Sequence, residues 1–141
     1  IIANWNDLNN CRLESIKSSM LTHSSAECLY FADRLACDLW TGTYRDYLPE
    51  LFQRYTENSG HVTDTYFSAW QAIKYTNTFE DAIKYAVSRG NDSDTVGAVT
   101  GMIAGRIYGY ESIPQRWLAK LQMKEKLLEE ANDLYRIGSM R

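Results

Sequence analysis

Residues 88–109 read SRGNDSDTVGAVTGMIAGRIYG. Two carboxylates and a hydroxyl, Asp92, Asp94 and Thr95, stand within four positions there, where a helical pattern begins. Hard cations such as Mg²⁺ and Ca²⁺ take oxygen ligands, and a turn can aim alternate side chains at one point. An EF-hand loop starting at Asp92 would match at Asp94 and Gly97. Val96 and Ile103 then occupy its fifth and twelfth positions, so two ligands are lost and that reading fails. The same residues also admit a plain structural reading, in which Asp92 or Asp94 caps the helix that follows. Gly97, Gly101, Gly105 and Gly109 recur four apart and share one helical stripe. Each costs about 1 kcal/mol relative to alanine inside a helix. A stripe of bare backbone is expected on a centrally buried helix, with Gly101 against a neighbouring one.

Whatever positions these groups is built from 141 residues, enough for one domain with a hydrophobic core. The 45% hydrophobic content fits a globular chain, and two prolines leave room for long helices. A net charge of -3 points away from nucleic acid as a partner. No stretch approaches the roughly 20 apolar residues of a membrane span, so no membrane is expected. Cys28 and Cys37 are nine apart, on roughly opposite faces of one helix, and Cys11 stands alone. With no CxxC pair, neither a disulfide framework nor a zinc site is expected, and a reducing cytoplasm is the expected location. The opening IIANWNDLNN has no Met and no signal-peptide pattern, so a preceding segment is expected.

The apolar period is helical nearly throughout, and no alternating strand pattern of useful length occurs. Leu13, Ile16 and Met20 mark a first helix ending near LTHSS; Leu29, Ala32, Ala36, Leu39 and Trp40 line a second. TGTYRDYLPE reads as a linker before a short helix with Leu48, Leu51, Phe52 and Tyr55, and TENSGHV as a loop. Asp64 is expected to cap a helix holding Tyr66, Trp70 and Ile73. Thr78 and Asp81 form a weak capping box before Phe79, Ile83 and Val87. The glycine helix follows from about Thr95 to Tyr108. Pro114 then opens a last helix running through Trp117, Leu121, Leu128, Ala131 and Tyr135. On it Lys126 and Glu130 pair across a solvated face. The expected fold is all-α, with about seven helices.

The block GNDSDTVGAVTGMIAGRIYGYESIPQRWLAKL resembles the C-terminal signature of the ADP-ribosylglycohydrolases of the dinitrogenase-reductase-activating type: Asp-x-Asp-Thr, a small-residue helix ending Tyr-Gly, then Ile-Pro and Trp. Upstream, SGHVTDTYFSAWQAI is similar to the family's Gly-x-Val-x-Asp-Thr helix start, FEDAIKYAVSRG to its approach to the metal motif, and LTHSS to its Thr-His step. The resemblance spans roughly residues 15–120 in the family's order. It implies an orthogonal all-α bundle with a two-magnesium centre, hydrolysing the bond between ADP-ribose and a protein side chain or a small acceptor. It also implies that Asp92, Asp94 and Thr95 are the C-terminal half of that metal site, with Asp94 shared between the ions. Asp92 and Asp94 would take part in catalysis, His23 would contact the diphosphate, and His61 would lie along the substrate cleft.

The family's other ligands, a Thr-Asp-Asp run, lie far N-terminal. Nothing before His23 matches them, and Asp7 has no acidic neighbour behind a threonine. Residues 1–141 therefore read as one domain, the C-terminal half of the family's fold, completed by an N-terminal half that can be a separate chain. Alone, such a half-site is expected to bind Mg²⁺ weakly and not to turn over. The rival expectation is a non-catalytic helical protein that keeps the fold for binding or structure.

Overall fold

The computed structural model describes residues 2–42 and 57–140. The linker and short helix expected around Leu48–Tyr55 fall in residues 43–56, outside the described ones. Among the described residues there are seven α-helices and no strand. They are α1 (Leu8–Met20), α2 (Ala26–Thr41), α3 (Val62–Lys74), α4 (Phe79–Ser88), α5 (Ser93–Tyr108), α6 (Gln115–Leu118) and α7 (Lys124–Ser139). Chain contacts divide them into two compact units, residues 1–41 with 115–141, and residues 42–114.

In the first unit, the Asp7 carboxylate accepts the Asn10 N–H at 3.1 Å and starts α1. α1 packs on α2, burying Cys11, Phe31, Ala36 and Leu39. Arg12 and Asp33 join the two helices by a two-pronged ion pair, Nε to Oδ1 at 2.7 Å and a terminal nitrogen to Oδ2 at 2.9 Å. All three cysteines are free. α7 is fastened at its C-terminal end, where Trp5 stacks on Tyr135 with ring centres 5.6 Å apart. Gly138 makes this possible, because a Cβ there would stand 2.6 Å from Trp5 Cδ1.

The continuous last helix expected from Pro114 is two helices instead. Met123 takes the left-handed conformation (φ 57°) between α6 and α7, which no α-helix can pass through. Lys126 and Glu130 do face each other on α7, at 3.8 Å and well exposed.

In the second unit, the central helix is α3, not the glycine helix. Every residue from Thr63 to Ala72 is buried, because α4 and α5 both pack against it. α5 buries Val96, Thr100, Ile103 and Ala104, a face beside its glycines. Small side chains let the three helices meet closely, with Ala72, Ala86 and Val96 in one contact under Tyr85. The glycine stripe faces α4 only in part. A Cβ on Gly97 would meet Val87 at 3.0 Å, one on Gly101 would meet Ile83 at an ordinary 3.7 Å, and one on Gly105 would meet nothing within 4 Å. Gly109 lies past the helix, as its C-cap with φ 80°. The Thr78 cap forms as expected, its hydroxyl oxygen accepting the Asp81 N–H at 3.1 Å.

Candidate functional site

The acidic turn is placed by two loops that lock together. α4 stops at Ser88, and the chain reverses through Gly90 (φ 75°) and Asn91 (φ 52°), both in the left-handed region that glycine and asparagine tolerate best. The loop before α3 does the same at Asn58 (φ 57°). Asn58 is buried, and its amide donates to the Gly90 carbonyl at 2.6 Å. Its own carbonyl accepts the Asp92 N–H at 3.0 Å. The Asn91 side chain returns a bond to the Glu57 carbonyl at 2.6 Å.

Asp64 holds this first loop from inside. It was expected to cap α3, but the N-cap position belongs to His61, which makes no side-chain capping bond. Asp64 lies in the first helical turn and is buried. Its carboxylate reaches back to accept the N–H groups of Glu57 and Ser59. The Thr65 hydroxyl adds a bond to the Ser59 carbonyl at 3.0 Å.

Asp92 occupies the N-cap of α5 and makes no side-chain bond to that helix's N–H groups. Instead its Oδ1 accepts the Thr95 hydroxyl at 2.9 Å. Its Oδ2 lies against Gly60, where a Cβ would stand only 2.7 Å away. Asp94 is exposed in the first turn of the same helix. Its carboxyl is held below the ordinary carboxylate range, chiefly by the Asp92 side chain and then by the N–H groups of Asp94 and Thr95.

Asp92, Asp94 and Thr95 therefore come together, and the segment Ser59–His61 lies beside them. His61 itself is exposed at the start of α3, its backbone N–H donating to the Ser59 hydroxyl at 3.3 Å. His23 lies in the other unit, exposed just after α1, with Nδ1 and the Thr22 hydroxyl 3.0 Å apart. Asn58 went unseen in the sequence, inside a stretch that read as a loop, and Gly60 was read only as the first residue of the family's Gly-x-Val-x-Asp-Thr helix start, with no part in the site. An asparagine two residues before a glycine was the one local signal of unusual backbone there.

Comparison with known proteins gives this turn a context. The family profile described as ADP-ribosylglycohydrolase matches residues 13–141. The chain belongs to that family. Over 78 residues it is 45% identical to the "ADP-ribosylarginine hydrolase Tri1" of Serratia proteamaculans, a match covering 55% of this chain and 21% of that protein. Over 68 residues it is 40% identical to the "ADP-ribosyl-[dinitrogen reductase] glycohydrolase" of Rhodospirillum rubrum, covering 48% of this chain and 23% of that one. A solved structure titled "ADP-ribosylglycohydrolase-related protein complex" superposes with a TM-score of 0.85 at 29% identity, over 98% of this chain and 56% of that one. The all-α fold of the family is thus present here, and the chain spans little more than half the length of that solved relative.

Proposed function

We propose that this chain supplies part of the site of a magnesium-dependent hydrolase that cleaves the glycosidic bond joining ADP-ribose to a protein side chain or a related acceptor. The observation that carries the reading is the state of Asp92. Asp92 stands at a helix N-cap without capping the helix N–H groups, its oxygens turned instead towards the Thr95 hydroxyl and Gly60, with Asp94 beside it. Two carboxylates and a hydroxyl form an all-oxygen set that suits Mg²⁺, which typically binds one or two carboxylates and keeps several waters. Among the described residues no three His, Cys, Asp or Glu side chains gather to form a complete cage. In this proposal the set is half of a centre. Its remaining ligands are water and groups from the part of the family fold outside this chain, on the same polypeptide or a separate one.

Asp92, Asp94 and Thr95 would hold the ions, with Asp94 shared between them. When bound, Mg²⁺ supplies Lewis acidity and a template that orients the ribose hydroxyls and a water. The two carboxylates also oppose the positive charge that develops on the ribose as the glycosidic bond breaks. His23 offers a donor to the diphosphate and His61 lines the cleft. The substrate is an ADP-ribosylated protein or a small ADP-ribose compound. A cytoplasmic setting accords with three free thiols.

The test joins this chain to the rest of the family fold. The 141-residue chain alone will bind Mg²⁺ poorly and release no ADP-ribose from a modified protein; the joined form will do both. Asp94→Asn in the joined form will abolish both, since the amide keeps the shape but loses the charge. Hydrolysis by the lone chain, or full activity of the joined Asp94→Asn form, would overturn the reading.

A further inference from the structure

We infer that Gly60 is a positioning residue for the Asp92 carboxylate, an inference that rests on the reading of Asp92 as a metal ligand. Nothing in the backbone demands glycine at position 60, because its φ lies outside the left-handed region. What demands it is a neighbour. A Cβ at Gly60 would stand 2.7 Å from Asp92 Oδ2, 3.5 Å from Asp92 Cγ and 3.9 Å from Asp92 Cβ. Only the carboxylate is too close; the rest of the Asp92 side chain is at or beyond ordinary contact distance.

The backbone cannot yield easily on either side. Asp64 grips the loop at the Glu57 and Ser59 N–H groups, and the Asn58 carbonyl holds the Asp92 N–H at 3.0 Å. With both backbones tied, the flexible part is the Asp92 side chain, so a methyl group at position 60 turns the carboxylate. That turn is cheap for the fold, since it moves the end of one short side chain. It is costly for a ligand site, because it breaks the Thr95 hydroxyl bond to Oδ1 or re-aims Oδ2. Changing the groups that orient a metal ligand weakens metal binding about 10–100-fold. Gly60→Ala therefore separates site geometry from stability.

The experiment uses the 141-residue chain as it is. Mn²⁺ is titrated while its broadening of the Ser93–Val96 amide resonances is followed, which reads even weak binding. The ¹³C shift of the Asp92 carboxyl is recorded without metal, and urea unfolding is measured alongside. Gly60→Ala is expected to shift the Asp92 carboxyl resonance and to weaken Mn²⁺ binding about tenfold, with the urea midpoint nearly unchanged. An unmoved carboxyl resonance, an unchanged Mn²⁺ affinity or loss of the folded spectrum would each overturn the inference, the last by making Gly60 a packing position. Asp92→Ala separates this from the underlying reading. If that variant binds Mn²⁺ as tightly as the parent, the metal assignment fails, whatever Gly60→Ala does to the carboxyl resonance.

Discussion

A carboxylate at a helix N-terminus ordinarily gives an oxygen to the first-turn N–H groups. Two aspartates near helix starts here do otherwise, for opposite purposes. Asp92 turns towards Thr95 and Gly60, while Asp64 turns back into the protein to hold Glu57 and Ser59. On the proposed function the first serves ligands, whereas the second holds a loop. Asp64→Ala removes the acceptor of two N–H groups and unpins the loop that carries Asn58. Both bonds are part-buried and go to a charged group, a type worth about 1.5–3 kcal/mol, so roughly 2 kcal/mol of stability will be lost, read as a lower urea midpoint. An unchanged midpoint would show that the loop is held by something else. At this scale the sequence was informative only where the chemistry is local. Asp92, Asp94 and Thr95 stand out because three oxygens sit within four positions. Asn58 does not, because what makes it matter is a contact 32 residues away along the chain.

At the scale of the element, the 3.6-residue period located α2, α4 and α5 and the start of α3 to within a few residues, since each buries a regular stripe. It could not locate the break before α7, because the apolar period continues across it while a left-handed Met123 interrupts the backbone. Nor did it rank burial correctly. The glycine spacing drew attention to α5, whereas α3, with Trp70 and Tyr66 among polar Thr63, Ser68 and Gln71, is buried almost all round. Glycine in register does not by itself mean close packing, and the three helical glycines of α5 make the point testable. Gly105→Ala adds a Cβ in open space and gains helix propensity, so the chain will be stabilised by about 0.5–1 kcal/mol. Gly97→Ala gains the same propensity but meets Val87 at 3.0 Å. Val87 is β-branched and stiff at χ1, so part or all of the gain is lost. Thermal unfolding of the two variants is expected to place Gly105→Ala clearly above Gly97→Ala. The reverse order would mean that the α4–α5 contact yields more easily than its geometry indicates.

For the whole molecule, fold class was readable from periodicity alone, and the family from the spacing of a few residues around Asp92. How much of the apolar surface lacks a partner within this chain was not readable, since a stripe of leucines looks the same covered or bare. On α7, Leu127, Leu128, Leu134, Tyr135 and Ile137 are each more than a third exposed, and on α1 so are Leu13 and Met20. Trp5 covers only the C-terminal end of α7, at Tyr135 and Gly138. Single exposed leucines are ordinary in monomeric proteins, but successive turns of one helix bearing them are not. The solved relative on which this chain superposes is longer, the chain spanning 56% of it. The 141-residue chain by itself is therefore expected to bind an apolar dye such as anilinonaphthalene sulfonate while folded, and to self-associate as its concentration rises. Leu127→Glu with Leu134→Glu, two turns apart on α7, will reduce both effects without lowering the helical circular-dichroism signal. A parent chain that stays monomeric and leaves the dye dark would show these leucines to be harmless surface. A double variant that loses its helicity would show instead that they are packed in solution.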